Sequence, residues 1–145
     1  MKKIILLCLF LSLSSTRAFA AGDHVSVGAG LINFPTPSKT YFELSLEYEH
    51  RYDAYFGLGG FGSYVFSTPA ITILGVPEVF FHPMAGTWVI TASPIFQFYS
   101  GNTDTGVRLG TRFRLPAGLF TLLPSVAVDF INGVHQYTFG LGIGF

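Results

Sequence analysis

The chain has 145 residues, of which 50% are hydrophobic and 11% charged, with acidic and basic side chains in formal balance. That charge content is far below the roughly 25% of ordinary soluble domains, and without a basic patch it excludes nucleic acid as a partner. The single cysteine, Cys8, lies near the start of the chain and excludes a disulfide framework.

Met1-Lys2-Lys3, the apolar run from Ile4 to Leu13 and Ala18-Phe19-Ala20 form a charged region, a hydrophobic region and a small-residue cleavage site. This pattern predicts a secretory signal peptide over residues 1–20, since the apolar run is too short to span a bilayer. Cys8 falls inside it and is followed by Leu9, so it is not placed for lipid acylation. Removal of the segment takes away Lys2, Lys3 and Arg17. Five basic residues (Lys39, Arg51, Arg108, Arg112 and Arg114) then face all eight acidic ones, a net charge of −3 over residues 21–145. No later stretch reaches eighteen consecutive apolar residues, so no membrane helix is predicted.

From residue 24 onward, apolar and small or polar residues alternate with a period of two, the strand period. Eight strands are predicted. The first covers His24–Asn33, with Val25, Val27, Ala29 and Leu31 on one face and Ser26, Gly28 and Gly30 on the other. A Pro-rich turn over residues 34–40 leads to Tyr41–Glu49, where Phe42, Leu44, Leu46 and Tyr48 alternate with Glu43, Ser45, Glu47 and Glu49. A tight turn at His50–Asp53 leads to a third strand ending near Phe66, and a turn at Ser67–Ala70 to a fourth over Ile71–Phe81, with Glu78 on its polar face. After residues 82–87 the fifth strand, Trp88–Tyr99, sets Thr91, Ser93 and Gln97 against Trp88, Ile90, Ala92, Phe96 and Phe98. A loop over Ser100–Asp104 precedes the sixth, Thr105–Leu115, which sets Val107, Leu109 and Phe113 against Arg108, Gly110, Arg112 and Arg114. The seventh, Leu119–Phe130, carries Asp129 on its polar face. Asn132-Gly133, a strong hairpin signal, leads to the eighth, His135–Phe145. Pro77, Pro94 and Pro124 fall inside strands and predict bulges or local gaps, because each removes a ladder hydrogen bond.

Eight strands with one greasy face each predict a closed antiparallel up-and-down barrel. Its polar face is Gly, Ser and Thr with a few Arg and Glu, which suits a cramped interior rather than a wetted surface. Its apolar face carries almost no charge, as a lipid-facing surface requires. Aromatics gather at the strand ends: Tyr48, Tyr52, Phe81, Trp88, Phe113, Phe120 and Phe145 at one rim, and Phe34, Phe42, Phe66, Phe98, Phe130 and Tyr137 at the other. Two such girdles are the mark of a transmembrane barrel. An even strand number puts both termini on one side, the periplasmic one. The opposite turns are short for loops carrying an adhesive function.

The last nine residues alternate Tyr137, Phe139, Leu141, Ile143 and Phe145 with Thr138, Gly140, Gly142 and Gly144. This ending resembles the terminal strand of bacterial outer-membrane β-barrels, which finish on an aromatic residue read by the assembly machinery. The whole chain resembles the small barrels of the OmpA/OmpX-like kind. The resemblance implies an outer-membrane location, outer-membrane lipid as surroundings, and the barrel assembly machinery as a partner during biogenesis. A monomer is expected.

In an eight-stranded barrel roughly 16 Å across, the sixth strand faces the second. Arg108, Arg112 and Arg114 therefore point across the lumen toward Glu43, Glu47 and Glu49. With Glu78 and Asp129 they form a predicted interior ion network. The histidines, His24, His50, His82 and His135, fall at strand ends or turns without metal-ligand spacing. No catalytic, metal or cofactor residues are assigned. Of the lipid A modifying barrel enzymes, the deacylase type uses a His-x-Ser pair that is absent here. The palmitoyltransferase type has prolines that open lateral gaps, a feature Pro77 and Pro94 resemble, but its catalytic residues find no counterpart. The expected function is non-enzymatic, a structural or surface-interaction barrel with a side-chain-filled lumen. A narrow pore and a lipid-modifying enzyme are the alternatives.

Overall fold

Alternating sequences satisfy every backbone group only when each strand finds a neighbour on both sides, and a sheet closed on itself leaves no edge. The computed structural model describes residues 22–145 apart from Thr36 and Ala85, and the predicted signal peptide lies outside the described residues. The strands are β1 (Asp23–Pro35), β2 (Ser38–Arg51), β3 (Phe56–Val65), β4 (Ile71–Phe81), β5 (Trp88–Tyr99), β6 (Asn102–Phe113), β7 (Leu115–Ala117), β8 (Phe120–Ile131) and β9 (Val134–Gly144). Every pairing is antiparallel, and β1 pairs with both β2 and β9, which closes the barrel. The three residues of β7 continue β6 along β8: the β6–β8 ladder stops at Arg112↔Ser125 and resumes in the same register at Leu115↔Leu122. Nine segments therefore make eight walls.

The break between them faces Pro124, which has no N–H to offer β6; on its other side Pro124 stays paired with Leu141 of β9. Pro77 makes a larger change. One extra residue on β4 interrupts its ladder with β3 between Gly59 and Phe61 and with β5 between Gly75 and Val79. Pro94, on β5, lies in the second interruption and pairs only with Val107 of β6. The extra residue resets the alternation, so Val76 and Pro77 both face outward while Gly75 and Glu78 both face inward.

Two strands start earlier than predicted. β2 begins at Ser38 rather than Tyr41, and β6 at Asn102 rather than Thr105. The loop expected at Ser100–Asp104 is instead a two-residue turn. Ser100 (φ 46°) and Gly101 (φ 80°) adopt the left-handed pair that the Asn132 (φ 50°) and Gly133 (φ 77°) turn also uses, matching the twist of the flanking strands.

The outer surface is apolar: Leu31, Leu44, Leu109, Phe139, Leu141 and Phe145 all lie exposed there. The interior has two zones. Toward the end away from the termini, Ile32, Val65, Ile73 and Ile95 are each 0% exposed and pack with Phe61 and Ile131 into an apolar plug, with Phe34 and Tyr41 against it. The two rings meet edge to face at 5.7 Å. Phe34 therefore belongs to the plug and not to the outer aromatic girdle. The expectation of a uniformly polar inner face fails in this zone, because these inward positions hold branched aliphatic residues. Toward the terminal end the interior is polar and charged.

Candidate functional site

The charged interior begins where the plug ends. Arg108 lies on β6 with its guanidinium 4.4 Å from the centre of the Phe61 ring. Its Nε donates to Asp129 Oδ1 at 2.5 Å and its Nη2 to Oδ2 at 2.7 Å. Arg108 and Asp129 are direct register partners of β6 and β8, equally far from the turn at Gly118-Leu119. Glu43, on β2 across the barrel, stands 3.9 Å from Arg108 Nη1 and accepts from Thr138 Oγ1 at 3.5 Å.

One level nearer the termini, Arg112 donates through both terminal nitrogens to Glu47, with Nη2 to Oε2 at 2.6 Å. Arg112 also lies 5.4 Å from the Phe80 ring. At the terminal end Arg114 donates from Nη2 to Glu49 Oε2. The structure thus brings β6, with Arg114 just past its end, and β2 together across the lumen as Arg108–Glu43, Arg112–Glu47 and Arg114–Glu49, in the same order along the axis. Gly57 allows this, since a Cβ there would collide with the Glu49 carboxylate.

His82 is a member of this site that the sequence reading placed among rim and loop residues. It sits in the turn after β4, is 0% exposed, and its Nε2 lies 2.6 Å from Glu49 Oε1. The turn folds inward because His82 N donates to Tyr55 O and Arg114 N donates to Thr87 O. Burial holds the His82 imidazole below its ordinary pKa, against the pull of Glu49. Its place two residues after the inward Phe80 is the sequence signal for that orientation. His50 pairs with Asp23 at 2.5 Å on the rim. Asp53 caps the neighbouring turn, accepting from the N–H groups of Tyr55 and Phe56, which hold its carboxyl below the usual range.

Glu78 has no arginine of its own. Its carboxylate accepts from the Thr91 hydroxyl, while Oε2 is buried without a hydrogen-bond partner. It lines a cavity of about 90 Å³ together with Glu43, Arg108 and Arg112. The cavity exists because β1 and β9 oppose glycines there, Gly28↔Gly142 and Gly30↔Gly140, and present no side chains to the lumen. A second cleft of about 60 Å³ leads from the terminal end past His24 and Arg114. The two share Ser26, Glu47, Arg112 and Leu123, so the Arg112–Glu47 pair stands between them.

A charged half of the interior behind an apolar exterior inverts the soluble pattern. In solved structures the same chain path occurs in the N-terminal β-barrel domain of Pseudomonas aeruginosa OprF, at 12% identity and TM-score 0.63 over 84% of this chain and 96% of that one. It occurs also in Neisserial surface protein A, NspA, at 10% identity and TM-score 0.66 over 86% and 96%. The fold is that of the small eight-stranded outer-membrane β-barrels. A de novo designed transmembrane β-barrel aligns too, at 10% identity and TM-score 0.58 over 88% and 98%. The sequence matches no protein-family model, and no curated protein sequence matches it. Tyr137, Phe139, Leu141 and Ile143 all sit on outward positions of β9, whose inward positions are Thr138, Gly140, Gly142 and Gly144. Phe145 is tied to β1 by Val25 in both directions, its N donating at 2.9 Å and its O accepting at 3.4 Å.

Proposed function

We propose that this protein resides in a bacterial outer membrane as a closed, monomeric, non-enzymatic barrel with a structural or surface-interaction role. The observation that carries this reading is the apolar plug. Ile32, Val65, Ile73 and Ile95 fill the far half of the lumen, and the Arg112–Glu47 pair stands across the polar half. A narrow interior lined by aliphatic side chains resists wetting, so ions find no continuous path. The apolar exterior with its rim aromatics, among them Trp88 stacked on Phe113 at 6.3 Å, supports lipid as the surroundings. The termini then face the periplasm, and the last strand serves the assembly machinery.

The test is electrical. Purified folded protein in planar bilayers is expected to show no steady conductance. A stable ohmic channel would replace this reading with the narrow pore. In cells, the protein should fractionate with outer membranes and migrate differently in boiled and unboiled detergent samples. Recovery as a soluble periplasmic protein would remove the membrane assignment.

A further inference from the structure

We propose that the terminal mouth of the lumen binds a phosphate group, held between Arg51 and Arg114. Arg51 ends β2 on the inward face, in the phase of Glu47 and Glu49. Arg114 lies across the mouth, just past β6. Both reach the same short stretch of chain. The Arg51 guanidinium lies against Gly86, where a Cβ would stand 3.2 Å from Nη1 and 3.3 Å from Nη2, and Thr87 O accepts from Arg114 N at 2.8 Å. The carboxylates at this level are already filled. Glu47 receives both terminal nitrogens of Arg112, and Glu49 receives Arg114 on Oε2 and His82 on Oε1. The donors are not. The Nε atoms of Arg51 and Arg114 are both buried without a hydrogen-bond partner.

Arg51 is the guanidinium in excess. Its Nη2 donates to Ala54 O at 3.0 Å, and among the described residues it forms no ion pair. Arg51, Arg112 and Arg114 thus meet only Glu47 and Glu49 inside the mouth, and Arg114 feels the like charge of the other two. Asp53 also attracts Arg51, but it is exposed and accepts from the N–H groups of Tyr55 and Phe56, so water screens its pull. Buried N–H groups without an acceptor and like charges side by side both cost stability, and an anion relieves both. Two guanidiniums arriving from different walls suit a tetrahedral anion, since one fork alone fills the two oxygens of a carboxylate. The cleft of about 60 Å³ past His24 gives access to Arg114 from the terminal end. The apolar plug lies beyond, so the ligand enters and leaves by the same mouth. Glu49 close by keeps the binding weak.

The experiment uses the full folded barrel in a nonionic detergent near neutral pH, with sodium chloride holding the ionic strength constant. The phosphorus-31 resonance of inorganic phosphate should broaden in the presence of the protein, and sulfate should reverse the broadening where acetate does not. Phosphate should also raise Tm saturably, by roughly 3–6 °C at ten times its Kd. Arg51→Gln should abolish both effects, Arg51→Lys should keep part of each, and Lys39→Gln at the opposite rim should leave them intact. Arg51 has no ion pair to break, so its variants keep the buried network. Glycerophosphoethanolamine separates the sources of the phosphate group. Displacement of inorganic phosphate by it assigns the site to a lipid headgroup, and failure to displace assigns it to free phosphate. Absence of broadening, broadening that acetate reverses as well as sulfate, or effects that survive Arg51→Gln would each overturn the site. Conductance in planar bilayers would leave these readouts unaffected, so failure of the closed-barrel reading and failure of this one are distinguishable.

Discussion

Arg112 is the residue on which the interior network most clearly depends. Both its terminal nitrogens are engaged by Glu47 across the lumen, and its guanidinium lies against Phe80. Removing it leaves Glu47 without a counter-charge, an effect of about 3–5 kcal/mol for a buried pair and less where water enters. Arg112→Ala should therefore lower stability far more than Lys39→Ala on the exposed rim, and Arg112→Ala with Glu47→Ala should recover part of the loss. Urea unfolding in lipid vesicles reads both, and strict additivity would show that the two residues do not interact. His82 gives a pH prediction. Its pKa is lowered in the fold, so the unfolded chain takes up a proton first as pH falls through 6.5. Its contribution is complete above that value and declines below it. His82→Gln should flatten the stability profile on the acid side of pH 6.5. At this scale the sequence was informative but incomplete. Period two placed each of the eight network residues on an inward face. It did not single out Asp129 as the partner of Arg108, which follows only from counting outward from Gly118-Leu119. His82 was hidden because it lies in a turn, where the inward phase it keeps from Phe80, two residues earlier, is easily passed over.

At the scale of strands, alternation and turn chemistry made most of the barrel readable. Asn132-Gly133 has the left-handed pair its sequence signals, and strands β4 and β5 begin and end where the pattern does. The errors lie where a polar residue extends a strand without changing the pattern, as Ser38 and Asn102 do. The prolines foretold interruptions but not their size. Pro124 costs one side of one strand, whereas Pro77 shifts the phase of β4. That shift carries a prediction. Just before it, in the phase of Ile73, Gly75 faces inward under the Phe61 ring, and a Cβ there would run into the ring. Phe61 is held in turn by Arg108 on one side and the plug on the other. Gly75→Ala should destabilise the barrel by about 1–3 kcal/mol through overpacking. Gly101→Ala has free space but a positive φ, so its cost is only backbone strain of about 1–2 kcal/mol. Combining Gly75→Ala with Phe61→Leu should relieve the first effect and leave the second unchanged, as unfolding midpoints would show.

The whole molecule is a barrel with unlike halves, and this is the feature the sequence concealed. Assigning faces by polarity treats every apolar residue as outward, so Ile32, Ile73 and Ile95 look like tolerated exceptions rather than one cluster. Only the closed sheet brings residues from β1, β3, β4, β5 and β8 to a single level of the lumen. The plug then decides whether the barrel conducts, because the polar half already holds room for water at the level of Glu78. If aliphatic packing is the barrier, thinning it should open a path without touching any charge. Ile73→Gly with Ile95→Gly removes two plug side chains from adjacent strands, each 0% exposed in the wild type. Such changes cost about 3 kcal/mol or more apiece, so the variant must first be shown folded by its heat-modifiable migration. Folded double mutant should give small steady currents in planar bilayers where the wild type gives none. A folded double mutant that stays silent would place the barrier at the Arg112–Glu47 pair instead. A wild type that conducts as well as the double mutant would deny the plug any role.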